Sequence, residues 1–174
     1  MKKLTIIFSA WLLLLGCGQG GKQDKVKDMV GYITSIDHQE ILVTELIAEN
    51  EKAHPGAAFY KVSSETEISS TDGKEMSFSD LQIGMKVEMW YTGEVEESFP
   101  QRTSAAKILV HTDEHSVNLA RAIEAAIHHM EPLSIWWVVS AEAIGEGYEV
   151  LLSELSGESS PILIQITPSF QVIE

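Results

Sequence analysis

Met85 to Thr92, MKVEMWYT, alternates apolar and polar side chains with the period of two that a half-buried β-strand demands. Met85, Val87, Met89 and Tyr91 share one face, and Lys86, Glu88, Trp90 and Thr92 share the other. Just before it, Ser77-Phe78-Ser79-Asp80-Leu81 has the polar start of a single helical turn, which Gly84 ends. Just after it, a loop from Gly93 to Gln101 leads into a second strand, TSAAKILVH, from Thr103 to His111. Upstream lie MVGYITSI (Met29 to Ile36), the turn Asp37-His38-Gln39 and EILVTELI (Glu40 to Ile47). A polar stretch, Ala48 to Ala57, then precedes FYKVSSETEI (Phe59 to Ile68) and the turn Ser70-Thr71-Asp72-Gly73. Five strands with one turn of helix between the third and fourth is the order of an OB-like five-stranded barrel, expected over residues 29–112.

At Thr112-Asp113-Glu114 the period changes from two to that of a helix. Asp113 and Glu114 suit its N-terminus, and Val117, Ala120, Ile123, Ile127 and Met130 form an apolar stripe. Pro132 is expected to stop the helix, and His128 and His129 favour its C-terminal end. Ser134 to Ala143 and Tyr148 to Leu155 then read as a hairpin around Gly145-Glu146-Gly147, followed by PILIQI (Pro161 to Ile166) and a possible short strand, Phe170 to Ile173. The fold class expected is therefore mainly β with an α+β C-terminal part, a small helix-plus-antiparallel-sheet unit over residues 113–174.

The chain has 174 residues, with 12 Lys and Arg against 26 Asp and Glu, a formal charge of −14, and 44% hydrophobic residues. It is too apolar to be disordered and too acidic to be a general binder of nucleic acid. Its single cysteine, Cys17, permits no internal disulfide. Lys2 and Lys3 precede an apolar run from Leu4 to Gly16. As a helix that run reaches roughly 20 Å against a hydrocarbon core of about 30 Å, so residues 1–16 read as a signal peptide rather than a membrane span. The junction Leu14-Leu15-Gly16-Cys17 resembles the lipobox of bacterial lipoproteins. That resemblance implies a diacylglyceryl group on Cys17, with palmitate-type chains mooring the protein to the extracytoplasmic face of the cell membrane. Gly18 to Asp28 is Gly-rich and then mixed-charge, so residues 17–28 are expected to be a flexible tether.

Between Gly31 and Val110 the chain resembles the YobA-like group of small bacillus-type envelope lipoproteins. The resemblance rests on Gly31-Tyr32-Ile33, on Asp80-Leu81-Gln82-Ile83-Gly84-Met85-Lys86-Val87-Glu88-Met89-Trp90, on Gly93-Glu94-Val95-Glu96-Glu97-Ser98-Phe99-Pro100 and on Ala105-Ala106-Lys107-Ile108. It implies an exported barrel of unknown activity and transfers no catalytic residue. The segment after His111 departs from that pattern, and its helix-then-strands order faintly resembles PepSY-type extracellular modules.

Candidate binding residues are Trp90, which shares a strand face with charges, and Glu97 and Phe99 in the following loop. In OB-type barrels ligands sit near the loops after strands one and four, here Asp37 to Glu40 and Gly93 to Gln101. The alternative for Trp90 is packing under that loop or against the second unit. His111-Thr112-Asp113-Glu114-His115 matches the H-x-x-E-H pattern of inverted zinc peptidases, but the strand-to-helix junction is the wrong setting for it. The acidic Glu94, Glu96 and Glu97 lack the loop that a Ca²⁺ site needs, and His128-His129 suits dipole compensation better than a metal. Of Trp136 and Trp137, one ring is expected in the core and the other between the units. No catalytic residue, metal site or cofactor is expected. The reading is a binding or interaction module whose partners are the membrane, through Cys17, and an envelope protein or small-molecule ligand, with no nucleic acid. The alternative is an envelope enzyme or a peptidase-inhibitor-like module.

Overall fold

The computed structural model describes residues 24–46, 55–130, 134–157 and 160–173. The signal peptide, the lipidation site Cys17 and the helix stop Pro132 lie outside the described residues.

The first strand, β1 (Val26–Asp37), is paired antiparallel on both edges, with β2 (Glu40–Glu45) on one side and β5 (Lys86–Glu96) on the other. β2 pairs with β3 (Ala57–Lys61), and β5 pairs with β6 (Gln101–Val110). Parallel pairing of β3 with β6 closes the circle into a five-stranded barrel of OB order. Alternation along β5 is as the sequence requires: Val87 and Met89 are fully buried inside, while Lys86, Glu88 and Trp90 stand outside. Ile33, Ile41, Val43, Tyr60 and Ile108 complete the centre of the barrel. A single 3-10 turn, Phe78–Asp80, sits before β5, and the Ser77 N–H donates to the Asp80 carboxylate at 2.7 Å.

Two expectations are corrected in the barrel. The run from Phe59 to Ile68 is not one strand but two, β3 and the short β4 (Glu67–Ser70), which adds to β6 in parallel. The chain turns between them because Thr66 closes on Ser63: its N–H donates to the Ser63 carbonyl at 3.1 Å, and its hydroxyl accepts from the Ser63 N–H at 3.0 Å. The tether expected over 17–28 ends early, since Val26 and Lys27 already pair with Tyr91 and Trp90.

Beyond the barrel, α1 (Glu114–His129) starts at Asp113, whose carboxylate accepts from the Ser116 N–H at 3.0 Å. The Ser116 hydroxyl, which donates to the same carboxylate at 2.7 Å, and then that N–H hold the Asp113 carboxyl below its usual range. Then β7 (Trp136–Ile144), β8 (Gly147–Glu154) and β9 (Ile162–Ile166) form a separate antiparallel sheet in sequence order. The segment Phe170 to Ile173 contributes one bridge, Ile166 to Val172, rather than a strand.

The apolar stripe of α1 is wider than expected and is shifted. Val117 is 43% exposed, while Leu119, Ala120, Ala122, Ile123 and Ala126 are buried. The helix is covered from two sides, by the β7–β9 sheet and by the barrel, and its alanines allow a close approach. Gly84 marks the tightest point. It adopts φ +86°, and a Cβ there would lie 2.1 Å from the Ala120 carbonyl oxygen.

The two units therefore share a seam. The outer faces of β1 and β2 carry Tyr32, Thr34, Leu42 and Thr44, all buried. Tyr32 joins the core formed by α1 and the second sheet, and burial pushes its hydroxyl pKa up. Leu42 and Ala57 pack with Leu155, flanked by Phe59 and Trp137. Alternation along β7 puts Trp136 in the core with α1 and turns Trp137 to the barrel, where its indole N–H donates to the Glu45 carbonyl at 3.2 Å.

A candidate ligand cleft along the seam

In OB barrels the outer face of strands two and three is a common ligand surface. Here that face is occupied by the chain itself, since Trp137 and Leu155 cover Leu42, Ala57 and Phe59. What remains open is the margin of the covered zone, where two adjoining cavities follow the seam.

The outer groove has a volume of about 290 Å³ and is lined by Phe99, Pro100, Ser134, Ile135, Glu154, Leu155 and Ser156. The loop between β5 and β6 brings Phe99, and the approach to β7 brings Ile135. Phe99 is 61% exposed and Ile135 37%, so two large apolar side chains meet water at its mouth. A cis peptide bond joins Phe99 to Pro100. The Ser134 hydroxyl donates to the Glu154 carboxylate at 2.9 Å. This places one anionic group in a mainly apolar wall.

Ser134 and Ile135 also form part of an inner chamber of about 320 Å³. Its other walls come from Thr34, Ser35, Leu42, Ile83, Trp136 and the end of α1, namely Ile127, His128 and Met130. The Thr34 side chain is buried, and its hydroxyl has no hydrogen-bond partner among the described residues. A buried hydroxyl left unpaired costs about 1–3 kcal/mol. The Thr44 hydroxyl is orphaned in the same way but does not line the chamber.

Of the sequence candidates, Phe99 lies in the outer groove, and Trp90 and Glu97 are not among its lining residues. Trp90 lies on the outer face of β5, and its ring is held by two lysines from the neighbouring strands: Lys27 Nζ at 5.3 Å and Lys107 Nζ at 4.8 Å from its centroid. Lys27 also binds Glu88 at 2.8 Å, and His111 Nε2 lies 3.3 Å from the other Glu88 oxygen. These contacts, that with Lys27 foremost, hold the Glu88 carboxyl below its ordinary range. Glu97 stands exposed in the loop.

The H-x-x-E-H residues part company in the fold. His111 follows β6 and turns to Glu88, Asp113 caps α1, and Glu114 and His115 are exposed on its first turn. Among the described residues no three of His, Cys, Asp and Glu gather where they would hold a metal. Sequence reasoning missed Thr34, Ile83, Ser134, Ile135 and Leu155. Only Ile41-Leu42-Val43 held a signal for them: its unbroken apolar run marks a strand buried on both faces, which a lone barrel does not provide.

Comparison with known proteins matches the barrel alone. No curated protein and no solved structure matches the chain. Residues 30–111 match the profile of a family described as a protein of unknown function, DUF3221, so a DUF3221 domain spans the barrel from within β1 to just past the end of β6, and the unit that builds the other wall of the cleft follows it.

Proposed function

We propose that this protein is a non-catalytic binding module of the YobA-like lipoprotein kind, moored through a diacylglyceryl group on Cys17 to the extracytoplasmic face of the cell membrane. It takes a small-molecule ligand in the seam cleft. The observation that carries this reading is the pair of adjoining cavities, about 290 and 320 Å³, with Phe99 and Ile135 exposed at their mouth. That size and mainly apolar lining suit a small organic ligand. The position suits one too, because a loop carried on a closed barrel faces a second rigid unit across the groove. The lipobox-like junction at Cys17 supports the mooring, and the charge of −14 disfavours nucleic acid and other polyanions as partners.

The ligand test is affinity selection with the full lipidated protein in nanodiscs, incubated with a small-molecule extract of cell envelopes. Mass spectrometry should find a compound retained by the wild type and reduced at least about tenfold by Ile135→Asp, which puts a charge into the groove wall. Equal retention by the two proteins, or none by either, overturns the cleft as a ligand site. Mass spectrometry of the processed protein tests the mooring, for which an unmodified Cys17 thiol is the contrary result.

A further inference from the structure

The inner chamber differs from the outer groove in having a buried hydroxyl without a partner among the described residues, and that difference selects a head-group chemistry. Thr34 is 6% exposed and its hydroxyl is orphaned among the described residues, although it lines a chamber of about 320 Å³. An engineered apolar cavity of roughly 150 Å³ holds a benzene, so this chamber has room for an aromatic ring with a short chain. Leu42, Ile83, Ile127, Met130 and Ile135 supply the aliphatic part of the wall around Thr34. The aliphatic side chains offer a ligand body dispersion and desolvation, and the hydrogen-bonding groups of the chamber sit at Thr34, Ser35, His128, Ser134 and Trp136.

Three observations set the sign of the head. Ile127, His128 and Met130 bring the C-terminal end of α1 to the chamber, and a helix C-terminus is the negative pole of its dipole. Glu154 lines the adjoining groove, held by Ser134, which belongs to both cavities. The chain as a whole carries −14. Each disfavours an anion and favours a group that donates hydrogen bonds, while the Thr34 oxygen is free to accept one.

Resting on the seam cleft as a ligand site, we propose that the inner chamber binds a small amphipathic amine. Its apolar body lies against Leu42, Ile127 and Trp136, and its N–H donates to the Thr34 hydroxyl. No bond is made or broken.

The test uses the full lipidated chain in nanodiscs, labelled at the methionine methyls, with 4-phenylbutylamine as the probe and 4-phenylbutyrate as its anionic counterpart. The Met130 methyl reports the chamber directly. The amine should shift this resonance saturably, and the carboxylate should bind at least about tenfold more weakly. Thr34→Val, which keeps the shape and removes the hydroxyl, should weaken the amine roughly 3–10-fold, whereas Thr34→Ser should stay within about twofold of the wild type. A carboxylate bound as tightly as the amine, or an affinity unchanged in Thr34→Val, overturns the proposal. Phe99→Ala separates the two levels. Binding that depends on Phe99 and not on Thr34 removes the chamber and leaves the seam reading standing. No saturable shift of Met130, together with failed affinity selection, removes both.

Discussion

The two outer faces of the barrel solve the same problem in opposite ways. Around β5 the outer face carries Lys27, Glu88, Trp90, Lys107 and His111, whose ion pairs and cation–π contacts are made across neighbouring strands in water. Around β2 it carries Leu42, Thr44, Ala57 and Phe59; Trp137 and Leu155 pack on Leu42, Ala57 and Phe59, and Thr44 is buried as well. The first face is satisfied within the barrel. The second is covered by the unit that follows the barrel, and covering it creates the cleft. A barrel face that is apolar thus becomes a site by being incompletely covered, whereas a charged face such as that of Trp90 leaves its aromatic ring already engaged.

The contrast is broken most severely at Gly84, which serves both sides of the seam. Its N–H donates to the Ile33 carbonyl at 2.7 Å, and its Cα lies against Ala120 of α1. Gly84→Val adds a clash and a left-handed residue at once, and chemical denaturation should show a loss of about 3 kcal/mol or more. Trp137→Ala tests the covered face alone. It removes the indole between the units and its hydrogen bond to Glu45, with an expected loss of about 2–4 kcal/mol. Trp90→Ala on the open face should cost about 1 kcal/mol or less by the same measurement. Equal losses at the two tryptophans would dissolve the distinction drawn between the faces.

Acid sharpens it further. The Glu88 carboxyl titrates below its ordinary range because it is held by Lys27 and then by His111. Its contribution to stability is therefore complete above the usual carboxylate pKa and is lost as the pH falls through the depressed folded value. Glu88→Gln should lower stability at neutral pH by less than about 1 kcal/mol and flatten the acid limb of a stability-versus-pH curve. The smallest effect is expected from Lys27→Met with Lys107→Met. That pair should move the Trp90 resonance in ¹⁹F spectra of 5-fluorotryptophan-labelled protein, leave those of Trp136 and Trp137 in place, and shift stability by under about 1 kcal/mol.

Much of this was legible in the residues. Alternation in Met85 to Thr92 put Val87 and Met89 inside and Lys86, Glu88 and Trp90 outside, because one face meets a dry interior and the other meets water, while the strand runs on to Glu96 through residues read as loop. Asp113 announced the start of α1 because a carboxylate there accepts an otherwise orphaned N–H. The break at Ser63 to Thr66 was harder to see, since Val62, Thr66 and Ile68 are good strand formers and a local hydrogen bond overrides that preference. The cleft could not be read at all beyond Phe99. Thr34 and Ile135 are 101 residues apart and line one chamber only because the second unit docks, and docking depends on the shape of two finished surfaces rather than on any local pattern.

One consequence of the strand order concerns mechanics. β1 is the first strand among the described residues and is bonded along both edges, to β2 from Gly31 onward and to β5 from Val26 to Tyr32. Tension entering from the N-terminal side meets the β5 ladder first and, from Gly31 on, a second ladder with β2 in a closed wall. Resistance to forced unfolding is a matter of rate. A molecule pulled from that end should rupture late and as a unit, where the same pull on the C-terminal side meets β9, paired by only one full ladder.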